Sequence, residues 1–344
     1  MSSHLIGNEE VKTRLSRMLA NGRLPNAMLF AGPDGVGKKL FAAEIARSFV
    51  CSSPSKNRAC GECAACKRVT QFNIPTADKG DDYDNVFFSE HADVGLVIPY
   101  KRNLRVGAIR ALEIQANFRP YEARARVFIV DDADKMNDAA ANALLKTLEE
   151  PPETTYIILV SSRPNLLLST IRSRCQTIRF APVSPMAIET YLRTERSMSP
   201  EDAGLAARIS NGSVAKAASV DLEQYRTQRE NLLKIVERGL GTPDRSFLVR
   251  ASEQLNDAKN KDHFEENLEI LEALIRDIWL LKNDGDLSQI RNFDIGDKLM
   301  AVAAAMSREK LAADLDEIEL LRQSLAVNIN RKIATDALFM KMSA

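Results

Sequence analysis

Several stretches of this 344-residue sequence carry residue types with chemistry of their own. The first is "GPDGVGKKL": Gly32, Pro33, Asp34, Gly35, Val36, Gly37 and Lys38, then Lys39 and Leu40. Gly32 to Lys38 fits G-x-x-x-x-G-K, in which glycines let the backbone curl so that N–H groups face phosphate oxygens and the lysine reaches the outer phosphates. An apolar run precedes the loop and a helical pattern follows, so the positive end of a helix adds to the cradle. Position 39 departs from the pattern. A serine or threonine there would offer a hydroxyl to Mg²⁺, whereas the ammonium of Lys39 cannot ligate a cation. About 4 Å from Mg²⁺ it would be repelled by about 8 kcal/mol at an effective dielectric of about 20. The side chain is therefore expected to swing away, leaving the metal short of a protein ligand. The backbone cradle can still hold ATP, and fast hydrolysis is the harder property to defend.

The second stretch is "VFIVDDAD", an apolar run ending in Asp131 and Asp132. This is a Walker B pattern, with Asp131 near the metal of a bound nucleotide. The next position is often glutamate, which positions the attacking water. Asp132 is one methylene shorter, which weakens that positioning. The third stretch holds Cys51, Cys60, Cys63 and Cys66 in C-x8-C-x2-C-x2-C spacing. Four thiolates on a short segment can surround one Zn²⁺ tetrahedrally and leave no open position, which favours a structural metal over a catalytic one. Cys175 lies far from them and reads as a small buried apolar residue. His4, His91 and His263 are scattered and suggest neither a metal site nor a triad.

These residues need elements to hold them. "AMLFAG" (27–32), "VFIVDD" (127–132) and "TYIILVSS" (155–162) are short apolar runs that suit strands buried on both faces. Helical patterns cover 38–49, 104–118 and 138–149, and "TIRF" reads as a further strand. Strands alternating with helices predict an α/β layer fold with a parallel sheet over residues 1–182, the cysteine module at 51–66 being inserted in it. After Pro182 the strands stop. Ser199 as N-cap, Pro200 in the first turn and Gly212 beyond the end mark part of a small helical domain at 183–221. Residues 222–344 read as wholly helical. Within them Phe264, Leu268, Leu271, Ile275 and Ile278 fall on one helix face that must pack against something. The acidic "TADKGDDYD" (76–84) is expected to be a solvated loop.

Bulk properties narrow the function classes. Lys+Arg and Asp+Glu are both 47, so net charge gives no support to nucleic-acid binding. Any DNA contact is expected at backbone phosphates, met by helix N-termini and scattered lysines, without base reading. The opening residues lack an export signal, and no apolar run approaches a membrane span, so no membrane role and a cytoplasmic location with reduced thiols are expected.

"STIRSRC" (169–175) places Arg174 just before a strand. On chemistry alone this is a surface arginine in an ion pair, although an arginine fixed at the end of an α/β layer can also reach a neighbour's nucleotide. Taken together, "GPDGVGKK", the cysteine spacing, "VFIVDDADKMNDAAANALLKTLEEPP" and "STIRSRCQTIRF" resemble bacterial clamp-loader subunits of the AAA+ class. The resemblance is strong to about residue 220, and the remainder fits the family's collar domain by type. It implies an AAA+ P-loop domain, a helical lid and a collar. It also implies a hetero-pentamer with gamma/tau-type motor subunits and a delta subunit, which opens a sliding clamp and closes it on primed DNA. ATP then sits between subunits, and Arg174 would act in trans on the neighbour's nucleotide. Ser162 would hold the sensor position after the third strand. Ala215 would stand where active subunits place a second-sensor arginine. Three cis features are thus altered (Lys39, Asp132 and Ala215) while the trans feature is intact. The reading this favours is a stator that holds nucleotide with little or no hydrolysis. An active ATPase motor of the same loader is the alternative, and an AAA+ protein outside replication fits the motif set less well.

Overall fold

The computed structural model describes residues 5–75, 80–238, 245–257, 263–325 and 330–342. They divide into two compact units: one holds the chain up to Tyr191 with Ser210–Lys216, the other Leu192–Ile209 and the chain from Ala217 onward.

The first unit opens with α1 (Glu9–Ala20), β1 (Ala27–Ala31), α2 (Lys38–Val50) and the short α3 (Ala64–Arg68). It continues through β2 (Phe87–Phe88), β3 (Val94–Val97), α4 (Val106–Ala116), β4 (Arg126–Val130), α5 (Asp138–Glu149), β5 (Thr155–Ser161), α6 (Ser169–Arg174) and β6 (Gln176–Arg179). The strands form one sheet in the order β2-β3-β4-β5-β1-β6, parallel except for the β2–β3 pair. Every residue of β1 and β4 is buried, as continuous apolar runs require when both faces of a sheet are covered. Alternation along β1 assigns the faces. Ala27, Leu29 and Ala31 join the cluster built with Leu112 of α4 and Leu144 of α5. Phe30 points the other way and meets Phe180 at 5.2 Å between ring centroids, while Phe41 of α2 meets the same ring at 5.0 Å. The edge strand β6 buries only Ile178, and its polar residues face outward, as suits a sheet edge.

Register aligns the carboxyl ends of the parallel strands. Ala31 pairs with Ser161 and with Arg179, and Val97 with Val130. The loops after β1, β4 and β5 therefore leave the same edge of the sheet, where open α/β sheets bind ligands.

The strands expected at 27–32, 127–132 and 155–162 are present, and β2 and β3 are additional. β3 is only four residues long and contains Gly95, which lowers any strand signal. Close approach requires that glycine: a Cβ there would lie 2.6 Å from Val86 Cγ1 and 2.7 Å from Phe128 Cδ1. The stretch expected to be a solvated loop at 76–84 is described only from residue 80, since 76–79 lie outside the described residues. Residues Gly80–Asp84 form a 3-10 turn in which Tyr83 is buried and Asp84 pairs with Arg105 at 2.7 Å. That part is an anchored turn, because an acidic run with a basic partner and a buried ring has a reason to order.

Buried polar groups hold β3 against β4. The Asp93 carboxylate is fully buried and accepts backbone N–H bonds from Tyr121, Glu122 and Ala123 at 2.7, 2.9 and 2.9 Å. His91, also buried, accepts the Asp93 N–H at Nδ1 and sets Nε2 3.4 Å from the Glu122 carboxylate.

After β6 come α7 (Pro185–Glu195), α8 (Pro200–Ile209), α9 (Val214–Ser219) and α10 (Leu222–Arg238). They are followed by α11 (Arg245–Leu255), α12 (Phe264–Lys282), α13 (Gly296–Ala305), α14 (Arg308–Leu325) and α15 (Arg331–Met342). The Ser199 hydroxyl accepts the Asp202 N–H at 3.2 Å, capping α8 as its sequence predicts. In the second unit Phe264, Leu268, Leu271, Ile275 and Ile278 of α12 are all buried at the centre of a helical core. Asp277 of the same helix is buried and accepts the backbone N–H groups of Arg291 and Asn292.

Burial lowers the His91 pKa below its ordinary 6.5, so folding favours the neutral ring. The unfolded chain binds the extra proton, and stability should fall as pH drops below 6.5. The slope from this one group is at most about 1.4 kcal/mol per pH unit. Urea unfolding across pH 7 to 5 should show the decline, and His91→Gln should flatten it.

Candidate functional site

The phosphate loop leaves the carboxyl end of β1, and α2 begins at Lys38 as its spacing predicts. Two glycines are fixed by their surroundings. At Gly32 a Cβ would lie 2.4 Å from the Phe180 carbonyl oxygen. Gly35 has φ +70°, and a Cβ there would lie 1.9 Å from Ser213 Oγ. The segment pressing on Gly35 is "NGSVAKA", Asn211 to Ala217: the Ala215 N–H donates to the Gly35 carbonyl at 3.1 Å. Ala215 thus sits on the loop and brings no charge to it.

Inside the loop the Asp34 carboxylate accepts the Gly35 N–H at 2.9 Å. Val36 is buried, while Pro33, Asp34 and Leu40 are exposed. Lys38 is buried and donates to the Gly32 and Pro33 carbonyls at 2.8 and 2.6 Å. Desolvation lowers its pKa, opposed by the charges of Asp34, Asp131, Asp132 and Asp134. A buried ammonium ringed by carboxylates and carbonyls suits an incoming polyphosphate, which would replace those acceptors with full negative charge.

β4 delivers the second half of the site. The Asp131 N–H donates to the Val97 carbonyl at 2.9 Å, which fixes the turn after the strand. Lys39 Nζ lies 2.7 Å from Asp131 Oδ2. The charge expected to avoid a bound metal is here attracted to the carboxylate that would hold one. Asp132 has φ +47° and ψ +48°, and its carboxylate meets Lys135 Nζ at 2.7 Å. That short side chain is engaged by its own turn and is poorly placed to orient a water. The loop residues fit a phosphate chain, whereas Lys39 and Asp131 as paired do not fit Mg²⁺.

A third carboxylate, Asp134, was not singled out from the sequence. It is buried and accepts from Ser161 Oγ at 2.6 Å and from Arg163 Nε at 3.2 Å. Burial opposes its charge, but these bonds outweigh burial and hold the carboxyl below its ordinary range. Ser161 ends β5, while Ser162 follows it half-buried at the same edge. The continuous apolar run of β5 carried no signal for which of the two serines turns inward.

Arg174 ends α6, at the opposite edge of the sheet from the phosphate loop. Met28 pairs with Gln176 and Ala31 with Arg179, so about 10 Å of strand separates the Arg174 end of β6 from the loop end. Arg174 Nη1 donates to the Thr170 carbonyl at 3.0 Å, and Nη2 pairs with Glu149 at the end of α5. The Arg174 side chain is one-third exposed. Neighbouring Cys175 is buried, which pushes its thiol up to about 12, so it takes no part in this chemistry.

The four cysteines converge. Cys51 caps the end of α2, Cys63 caps the start of α3, and Cys60 and Cys66 complete a group whose sulfurs all lie within 4.8 Å of one another. A tetrahedral ion with bonds of about 2.3 Å sets its ligands about 3.8 Å apart. The Cys60–Cys66 sulfur separation, 4.0 Å, is close to that. Backbone N–H groups of Ser52 and Cys66 lower the Cys63 thiol to about 6, and those of Cys63 and Glu62 lower Cys60. Burial raises Cys66. Four sulfurs at this spacing form a donor set that can hold a metal ion.

Fold and site together define the class: an α/β module with a G-x-x-x-x-G-K loop and a four-cysteine module, followed by an all-helical region. The family described as DNA polymerase III, delta subunit, matches residues 7–184. The delta' subunit of DNA polymerase III from Bacillus subtilis (strain 168) is 32% identical over 274 residues, covering 78% of this chain and 77% of that protein. The delta' subunit from Escherichia coli (strain K12) is 29% identical over 326 residues, covering 93% and 90%. The tau subunit from Bacillus subtilis (strain 168) is 29% identical over 275 residues, covering 78% of this chain and 46% of that protein. The chain belongs to the DNA polymerase III delta subunit family. Among the described residues, no helix is long and apolar enough to cross a membrane.

Metal analysis of the purified chain is expected to find about one divalent ion per molecule. Cys63→Ser should lose most of it and lower the unfolding midpoint. A metal-free chain of unchanged stability would contradict a metal role for the cluster.

Proposed function

We propose that the chain serves as the delta-prime subunit of a DNA polymerase III clamp loader. In this reading it is the stator of a hetero-pentamer with gamma/tau and delta subunits, which loads a sliding clamp on primed DNA in the bacterial cytoplasm. Its own pocket holds nucleotide with little or no hydrolysis, and Arg174 neutralises developing charge on the nucleotide of the adjoining motor subunit. The cysteine group holds a structural Zn²⁺, the ion that four thiolates in a closed set favour.

The observation that carries the reading is the split between the two edges of the sheet. At the carboxyl edge the catalytic partners are engaged or missing: Lys39 sits on Asp131, Asp132 sits on Lys135, and Ala215 has no charge. At the opposite edge Arg174 is held by Thr170 and Glu149, outside the reach of its own pocket. Exposed pairs such as that with Glu149 are worth at most about 1 kcal/mol, so a phosphate can draw the guanidinium off at little cost. An active gamma/tau-like motor is the second reading, supported by the similarity to a tau subunit. It would require Lys39 and Asp132 to leave their partners together.

Two measurements separate these readings. The isolated chain should turn over ATP at background rate, and a rate like that of a motor would favour the second reading. In the reconstituted loader, Arg174→Ala should slow single-turnover hydrolysis at the adjoining site by about 10³-fold or more, with assembly intact by size-exclusion chromatography. Unchanged turnover would overturn the trans role.

A further inference from the structure

The Lys39–Asp131 pair carries a consequence for which ionic form of nucleotide the loop accepts. We propose that this chain binds nucleoside di- or triphosphate without a divalent cation, Lys39 serving as a tethered positive charge in place of Mg²⁺. The inference rests on the reading of the loop as a nucleotide site.

Mg²⁺ demands near-octahedral oxygen coordination at about 2.0–2.1 Å. At this edge of the sheet the protein oxygen placed for it is Asp131 Oδ2, which already carries Lys39 Nζ at 2.7 Å. A cation entering on that oxygen would meet the ammonium beside it and find no hydroxyl at position 39. The other carboxylates offer no substitute: Asp132 is paired with Lys135, Asp134 is closed by Ser161 and Arg163, and Asp34 accepts the Gly35 N–H. Lys38 and Lys39 are adjacent at the start of α2, so two ammonium groups flank the loop where an ordinary P-loop sets one ammonium and one metal. Lys39 stays half-exposed and needs only to rotate from Asp131 toward the terminal phosphate. The charge requirement of the polyphosphate is then met by the chain itself. Hydrolysis does not follow, because a single ammonium cannot bridge phosphate oxygens while fixing a water as a metal shell does.

The test is equilibrium binding of ADP and ATP to the full chain, by calorimetry, in EDTA and in excess Mg²⁺. Wild-type affinity should be no tighter with Mg²⁺ than with EDTA. Lys39→Thr, which restores the hydroxyl and frees Asp131, should become tighter by about tenfold or more when Mg²⁺ is added. Mn²⁺ in place of Mg²⁺ gives a second readout. Its electron paramagnetic resonance signal should show nucleotide-dependent capture in Lys39→Thr and none in the wild type. Wild-type binding strengthened tenfold by Mg²⁺ would overturn this inference and leave the nucleotide reading standing. Absence of wild-type binding in both conditions would overturn the nucleotide reading and the inference with it.

Discussion

The ion pair between Lys39 and Asp131 ties the first residues of α2 to the end of β4. The phosphate loop and the Walker B turn are separate in sequence, and β5 lies between their strands in the sheet. In an active P-loop enzyme a metal with its phosphates joins those two halves. Here a lysine side chain spans the gap. Asp131 is neutralised in place, Lys38 turns to the loop carbonyls, and Asp132 is left to its own turn.

That substitution changes what kind of device the fold is. A metal comes and goes with nucleotide, so a metal-joined pocket has two states that can drive motion. A covalently tethered ammonium is always present. In the proposed reading the pocket gains no metal on loading, and its one rearrangement is the rotation of Lys39 from Asp131 toward the phosphates. In that reading a rigid body still contributes chemistry through groups it carries for its neighbours, and Arg174, held by Thr170 and Glu149, is the group proposed for that. The cysteine group adds a second constraint near the far end of α2, where Cys51 follows directly on the helix that starts at the phosphate loop.

Much of this was legible in the residues. Continuous apolar runs gave β1, β4 and β5 because strands buried on both faces tolerate little else. The spacing of α12 gave its buried face, and Ser199 gave the cap of α8. Cysteine spacing alone brought four sulfurs together. What escaped the sequence shares a physical cause: it depended on partners distant along the chain. β3 was hidden by Gly95, whose need is set by Val86 and Phe128. The ordered turn at 80–84 depends on Arg105. The direction of Lys39 depends on Asp131, which no local rule supplies, and Asp134 gained its role from Ser161 and Arg163 across the sheet.

The central claim is that a lysine has replaced the metal in this chain's own pocket. The most direct measurement is a crystal structure of the chain soaked with ATP and Mg²⁺. The account predicts phosphates seated on the loop, Lys39 between them and Asp131, and no octahedral ion at that carboxylate. An octahedral Mg²⁺ bound to Asp131, with the Lys39 ammonium turned out to solvent, would contradict it.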